Sequence, residues 1–469
     1  MNAPLLDPAF VEEAIADLRP RLRRHRDAFV ALTAPCRVEA FGRLVATDVL
    51  GDRFVWDTRG VAQDMGPSVV ALGAVAQLAY TTETPRLLLA SSAAPAIFRG
   101  IVEHRAPGCE SAPALAMYGG AAFSDDPGAP SGWGYYPREQ WSLPRWRVAM
   151  VGTQAFVTWI LRLDELHENT RARVNELSLA NDVVLRSPTL RLGQHRLVRR
   201  DDLSLSQWSD YLDRALAAIS SGAFEKLVLA RRSRFVLDRP LDLAACVSRA
   251  GAAQPSCVRF LLERSGYGFV GASPERLVRV AGRRVSTDAL AGSVARTASD
   301  SVKTLTESLL LSDKIRREHD AVVRQIRDAL GPMCVSLEVP TQPVARELPS
   351  LVHLWTPIEG ELRSEQTVLD VAARLHPTPA VAGLPREGAS AWIAANEPAS
   401  RGWYAGPMGY FDARGDGALV VALRSMLVHR DSAWIYAGAG VVRGSVAEDE
   451  YRETEVKMAA MIAALGLGP

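Results

Sequence analysis

The chain has 469 residues, of which 48% are apolar and 23% charged, enough to build a large core and to exclude wholesale disorder. Its 54 basic and 53 acidic side chains leave a net charge of +1, so no bulk field draws it to nucleic acid or to an anionic membrane. No apolar run reaches the ~18 residues of a membrane span.

The N-terminus reads MNAPLLDPAFVEEAIADL. Early acids and the lack of a basic-then-apolar order argue against a secretory leader. The first run, Val11 to Ala31, is predicted as an amphipathic helix broken at Pro20. Its Arg19, Arg21, Arg23, Arg24, His25 and Arg26 form either a nucleic-acid patch or a solvated helix face, and the neutral total charge favours the solvated face. From Arg37 to about Arg162, β-branched and aromatic runs alternate with turns such as Gly51-Asp52, Gly119-Gly120, Asp126-Pro127-Gly128 and Pro130-Ser131-Gly132. That pattern predicts a strand-rich antiparallel region. Asp164 to Asn181 is predicted helical, and Arg186 to Asp202, with Pro188 and Gly193, reads as a loose connection.

In the second half, Trp208, Leu212, Leu216 and Ile219 recur at helical spacing before a C-cap at Gly222. Strands are predicted at Lys226–Val236, Val258–Glu263 and Gly268–Gly271. Ser312 to Leu330 reads as a helix ended by Gly331-Pro332. The last helix is predicted to open with the capping box Ser445-x-x-Glu448 and to close at Gly466. Helices and strands mix without strict alternation, so the fold class is α+β with large antiparallel β-sheets. The length admits about three domains or one large unit. Five cysteines, Cys36, Cys109, Cys246, Cys257 and Cys334, are odd in number and never spaced C-x-x-C. This argues for a reduced, cytoplasmic protein with neither a disulfide framework nor a cysteine zinc site.

Several polar residues sit where they need a reason. Glu318 shares a helical stripe with Ile315, Val322, Ile326 and Leu330. A carboxylate there is either paired, bound to a metal, or at the stripe's edge reaching water. Glu450, Glu453 and Lys457 share one face of the last helix, as a surface ion-pair array or as part of a site. Before them, Tyr436-Ala-Gly-Ala-Gly-Val-Val-Arg-Gly-Ser445 is a glycine-rich strand and turn whose N–H groups suit an anion. Carboxylates on two helices beside such a cradle suggest Mg²⁺ bridging the protein and an anionic ligand. Lys226 opens an apolar strand and is either a base or a snorkelling lysine. Glu275 follows Ser273-Pro274 and is either a general acid or a turn residue. Spacing does not show that these two meet. P-loop, dinucleotide-binding, H-x-x-x-H and G-x-S-x-G patterns are absent, and His353 and His376 are too far apart for a helical zinc pair.

Taken in order, the motifs from about 204 to 466 resemble the chorismate-utilising enzymes: isochorismate, salicylate, anthranilate and aminodeoxychorismate synthases. The stretches are Phe224-Glu-Lys-Leu-Val-Leu-Ala-Arg231, Phe269-Val-Gly-Ala-Ser-Pro-Glu-Arg-Leu277, Asp288-Ala-Leu-Ala-Gly-Ser293 and Ser312-Asp-Lys-Ile-Arg-Arg-Glu-His319. They continue through His353-Leu-Trp-Thr356, Leu375-His-Pro-Thr-Pro-Ala-Val-Ala-Gly383, Arg401-Gly-Trp-Tyr-Ala-Gly-Pro407, Val421-Ala-Leu-Arg-Ser425, Ala437-Gly-Ala-Gly440 and Glu450-Tyr-Arg-Glu-Thr-Glu-Val-Lys457. The more divergent half, 1–200, carries Gly119-Gly-Ala-Ala-Phe123, Trp133 and Leu143-Pro-Arg145 of the same family. The resemblance implies one integrated fold, two large antiparallel sheets flanked by helices, with 204–466 as the chorismate-binding catalytic region.

The resemblance also implies roles. Glu318 and Glu453 match Mg²⁺ carboxylates, with the metal shared with the ring carboxylate of chorismate. Arg424 and Tyr404 match groups holding the enolpyruvyl carboxylate, with Gly438, Gly440 and Lys457 nearby. Gly292 and Ser293 would meet the ring carboxylate, and His353 matches an active-site histidine. Lys226 matches the lysine of members that use water, where amine-forming members carry glutamine. Ala291 stands where aminodeoxychorismate synthases have a nucleophilic lysine. Ala380 matches isochorismate synthases, where salicylate and anthranilate synthases carry threonine. Ala382 departs from the usual Gly-Gly of isochorismate synthases. The implied activity is Mg²⁺-dependent isochorismate synthesis, an isomerase reaction feeding menaquinone or salicylate and siderophore pathways, by a monomer without an amidotransferase subunit. Salicylate synthase, a silent chorismate-binding protein and an amine-forming synthase are the alternatives.

Overall fold

The computed structural model describes residues 4–22, 29–47, 50–81, 86–124, 133–168, 170–186, 190, 192–297 and 300–468. Arg23, Arg24, His25, Arg26, the turns at Asp126-Pro127-Gly128 and Pro130-Ser131-Gly132, and Pro188 lie outside these.

Two sheets form the body. Among the described residues the first has 13 strands. It runs from an edge at Leu197–Asp201 through Lys226–Leu237, Ser432–Val441, Ser425–His429, Tyr267–Ser273 and Val258–Arg264, then into Arg53–Asp57 and the strands of the first half. The second has 10 strands among the described residues. Leu351–Leu362, Arg284–Ala295, Arg276–Ala281, Gly417–Val421 and Pro407–Asp412 lead there into Ala116–Ala121. Both halves of the chain therefore share both sheets: Arg259 pairs with Asp57 in the first, and Met408 with Gly120 in the second.

Burial explains why the central strands read as unbroken apolar runs. Phe260 and Phe269 point into a core with Trp56, Trp141 and Phe411, while their neighbours Leu261 and Val270 point into another with Cys246, Met458 and Leu465. Alternate side chains face opposite sides of a strand, so a strand covered on both faces is apolar throughout. Among the described residues no helix is long and apolar enough to cross a membrane.

Several expected boundaries move. The first helix is Pro8–Leu22 and includes Pro20, whereas Phe29–Cys36 is a strand, so Phe29 to Ala31 are not helical. Burying Val30 and Leu32 there contributes about 2 kcal/mol each, against propensity differences of about 0.5 kcal/mol per residue. This strand also forms a parallel pair, with Ile101–Arg105, so the sheet is not purely antiparallel. Helices Glu39–Val45 and Leu88–Arg99 interrupt the strand-rich region, and the predicted Asp164–Asn181 helix is matched by helical residues Leu163–Glu168 and Thr170–Arg186. The supposed loose connection contains the exposed edge strand Leu197–Asp201. The capping box at Ser445 does not form: its Oγ accepts from the Val442 N–H at 3.2 Å, and the helix begins at Ala447 without a side-chain cap. Gly466 does close it, in the left-handed conformation that suits glycine.

The chain passes from the first sheet to the second at Pro274–Glu275 and returns at Ala422–Arg424. The two crossings are stitched together. Val421 N donates to Glu275 O at 3.1 Å, and Ala272 N donates to Arg424 O at 3.0 Å. This double crossing holds Glu275 and Arg424 side by side.

Candidate active site

Every candidate residue named from the sequence lines one pocket, built where the strands change sheets: Lys226, Glu275, Gly292, Ser293, Glu318, His353, Ala380, Tyr404, Arg424, Gly438, Gly440, Glu453 and Lys457. It holds about 1150 Å³ of space, part of it open to solvent, which is ample for a small dicarboxylate.

On one wall, Lys226 begins the strand Lys226–Leu237 and is buried. Its Nζ lies 2.8 Å from Glu318 Oε1, so the lysine is ion-paired rather than snorkelling. Glu318 does lie on the helix stripe of Val322, Ile326 and Leu330, which are fully buried, but its own carboxylate reaches the pocket. The next residue, His319, anchors that turn of helix: Nδ1 lies 3.1 Å from Ala291 O and Nε2 2.8 Å from Thr356 Oγ1.

Gly438 and Gly440 do not sit at a helix N-terminus. They lie toward the end of the strand Ser432–Val441, paired with Ala230 and Val228, seven and more residues before the helix Ala447–Leu465. Their use is closeness. A Cβ on Gly440 would stand 2.7 Å from Glu318 Oε1 and 3.0 Å from Lys226 Cε. One on Gly438 would stand 3.3 Å from the Tyr404 hydroxyl.

Opposite, Ser293 follows a bulge at Gly292, where the pairing with Leu351–Leu362 shifts register. Gly292 has φ +76°, and a Cβ there would meet Ile315 Cγ2 at 2.5 Å, so glycine is required twice over. Ser293 Oγ lies 3.4 Å from Glu453 Oε1. Glu453 is ion-paired with Lys457, whose Nζ also donates to Gly438 O at 2.9 Å. Burial opposes ionisation of Glu453, but Lys457 outweighs it, with help from Arg424 and Ser293, and holds the carboxyl below its ordinary value. His353 pairs with Ser293 across the strands. Burial, then Arg424, Lys457 and Arg346, push His353 well below its usual range, leaving it neutral at pH 7. Its Nε2 is buried with no hydrogen-bond partner among the described residues, a cost relieved only when a ligand or water supplies one.

The crossings supply the rest. Arg424 has φ 46° and is buried without an ion-pair partner among the described residues. Tyr404 is stacked on Tyr436 at 5.2 Å between ring centroids, and burial pushes its hydroxyl up to about 12. Glu275 is buried, and burial followed by the Asp288 charge raises its carboxyl from 4.5 to about 8, against Lys226, Arg346 and Lys457. It therefore carries a proton at pH 7.

The sequence did not single out Arg401, Leu423 or Ile315, which also line the pocket. Arg401 is buried, paired with Glu397 at 2.7 Å, and donates to Val381 O and Val228 O at 2.6 and 2.8 Å. It clamps the Ala380 loop onto the Lys226 strand. Its place inside an ordered motif was the available signal.

Among the described residues no three His, Cys, Asp or Glu side chains are grouped to hold a metal by themselves. Glu318 and Glu453 nevertheless fit Mg²⁺, which takes hard oxygen donors, keeps several waters and commonly binds through one or two carboxylates plus an anionic ligand. Charge points the same way. Lys226 and Lys457 are matched by Glu318 and Glu453, and Arg424 adds one positive charge unpaired among the described residues, so a dianionic ligand is not fully neutralised without a divalent cation.

A family model described as chorismate binding enzyme matches residues 23–466. Isochorismate synthase MenF of Bacillus subtilis (strain 168) is 32% identical over 351 residues, spanning 75% of this chain and 74% of that protein. The salicylate biosynthesis isochorismate synthase of Pseudomonas aeruginosa is 40% identical over 264 residues, 55% of this chain and 54% of that one. The solved structure of MenF, the menaquinone-specific isochorismate synthase of Escherichia coli, superposes with a TM-score of 0.75 at 26% identity, covering 97% of this chain and 99% of that one. The matches run through the divergent first half as well as the second, as the shared sheets require, and the chain belongs to the chorismate-binding enzyme family.

Proposed function

We propose that this chain is a Mg²⁺-dependent isochorismate synthase, adding water at C2 of chorismate and releasing the C4 hydroxyl. One observation carries the reading: Lys226 and a Glu275 carboxyl that keeps its proton to about pH 8 line the same pocket. A base and an acid are what the exchange of one hydroxyl for another needs. The Bacillus and Escherichia relatives, both named isochorismate synthases, support it.

Lys226, after releasing its ammonium proton to become the free amine, takes a proton from water as the water oxygen attacks C2. The ring double bonds shift, and Glu275 gives its proton to the oxygen leaving C4. One water enters and one leaves, so substrate and product share a formula and no redox partner is used. Arg424 and Tyr404 hold the enolpyruvyl carboxylate, and Ser293 and the Gly292 backbone approach the ring carboxylate. Neutral His353 offers its free Nε2 to the ligand. Glu318 and Glu453 would hold the Mg²⁺, which when bound supplies positive charge to the ring carboxylate. Orientation of water and ring between Lys226 and Glu275 accounts for much of the rate.

Ala380 and Ala291 narrow the outcome. Neither the threonine associated with pyruvate loss nor a nucleophilic lysine is present at these positions. Water as nucleophile leaves no role for an amidotransferase subunit. The test is product analysis: purified protein with chorismate and Mg²⁺, separated by chromatography, with EDTA and glutamine controls. Isochorismate alone, abolished by EDTA, is expected. Salicylate with pyruvate, or a glutamine-dependent product, would overturn the assignment.

A further inference from the structure

Beneath the acid lies a second buried carboxylate to which the reaction gives no part. Asp288, in the strand Arg284–Ala295, has its side chain wholly shielded from solvent. Two guanidinium groups close on it. Arg276 Nη2 is 2.8 Å from one carboxylate oxygen, and Arg346 Nη1 is 3.5 Å from the other. Arg276 directly follows Glu275 in the chain, and Arg346 stands opposite His353 in the pocket wall. Arg346 is held further by Gln63 Oε1 at 3.0 Å and by the Trp355 ring, 5.6 Å away. Glu275 itself, buried and within the field of Arg346, forms no ion pair among the described residues.

The arrangement matters because a buried carboxyl next to an uncommitted guanidinium ionises. An ionised Glu275 has no proton to give. We propose that Asp288 is a positioning residue for the acid: by binding Arg346, itself anchored beside Arg276, it keeps that guanidinium off the Glu275 carboxyl. The inference rests on the acid role proposed for Glu275. The other charged and titratable groups facing Glu275 are Lys226 from the first sheet, Lys457 from the last helix, and Arg424 and Tyr404 from the crossing and the turn before Pro407. After burial, the Asp288 charge is the largest influence keeping the proton on, and Arg346 works against it.

Two substitutions give opposite signs. Asp288→Asn frees the arginines and removes a repelling charge, so the alkaline limb of the kcat–pH profile should move down by about one unit. Arg346→Gln should move it up. A merely structural role lowers activity or Tm at every pH without moving the limb in opposite directions. Carbon-13 NMR of the Glu275 carboxyl, assigned with Glu275→Gln, reads the same titration without turnover. Matching shifts of limb and resonance support the proposal. An unmoved titration in folded Asp288→Asn, or shifts of one sign in both variants, overturns it. If Asp288→Asn does not fold, Arg346→Gln decides, and no upward shift overturns it. A wild-type protein that makes no isochorismate, yet whose Glu275 resonance moves as described, sinks the reaction assignment and leaves this inference standing.

Discussion

Lys226 and Glu318 lie 92 residues apart in sequence and 2.8 Å apart at the pocket, one from the start of a strand and the other from mid-helix. The pair joins the proposed base to a proposed metal carboxylate, so the two functions share a wall. Lys226→Ala is expected to lower turnover by about 10²–10⁴-fold, the usual worth of general base catalysis. Chromatographic assay for isochorismate reads it, and near-normal turnover would falsify the role given to Lys226.

Glu275 fixes the pH dependence. It must be protonated to act, so kcat should fall as pH rises through about 8, where the buried carboxyl ionises. Stability shares the sign. The folded value lies above the ordinary 4.5, so the native state binds the extra proton between 4.5 and about 8. Stability present below that window is lost as pH rises through it. Glu275→Gln should remove both the activity and this slope, as denaturant melts across pH can measure.

Glu453→Gln removes one of the two proposed metal carboxylates and leaves Lys457 without its ion-pair partner. Mg²⁺ dependence should weaken or vanish, and activity should fall at least as far as it does with EDTA. Mn²⁺ binding followed by electron paramagnetic resonance separates lost metal affinity from lost chemistry. Binding at wild-type strength in both Glu453→Gln and Glu318→Gln would exclude these residues as ligands.

Gly440→Ala tests closeness alone. The new methyl would lie 2.7 Å from Glu318 Oε1 and 3.0 Å from Lys226 Cε, both at the ends of flexible side chains. They move aside at little cost to the fold, so Tm should change by no more than a few degrees, about 1 kcal/mol. Turnover should drop by at least tenfold. Unchanged kinetics would show that the pair tolerates displacement.

Arg401→Met has the opposite character. It leaves Glu397 buried without its partner and strips two carbonyl oxygens of their donor. Breaking such a pair costs about 3–5 kcal/mol, so the loss should appear first in chemical denaturation. A variant as stable as wild type would mean that water or a rearranged loop satisfies Glu397.

The α+β class, the helix from Ser312 and the strand from Lys226 could be read from order and spacing, and the full set of candidate residues was implied by the family resemblance. Boundaries failed where tertiary burial outweighed local pattern. Phe29 to Ala31 continue a helical-looking run but are paired on both sides in a sheet. Ser445 matches a cap signature but uses its hydroxyl on the preceding turn. The glycines of Ala437-Gly-Ala-Gly440 suggested a turn feeding a helix, whereas they belong to a strand paired with the Lys226 strand, where Gly440 also gives clearance to Glu318 and Lys226.

The sequence by itself determined which residue types carry the chemistry, because motif order and helical or strand periodicity are local properties of the chain. Only the tertiary structure decided that Lys226 pairs with Glu318 and that Glu275 keeps its proton. It alone shows Asp288 occupying two arginines and Arg401 clamping the Ala380 loop. These facts depend on distance and on exclusion of water, which arise where two sheets exchange strands and bring residues from many separate stretches of chain together.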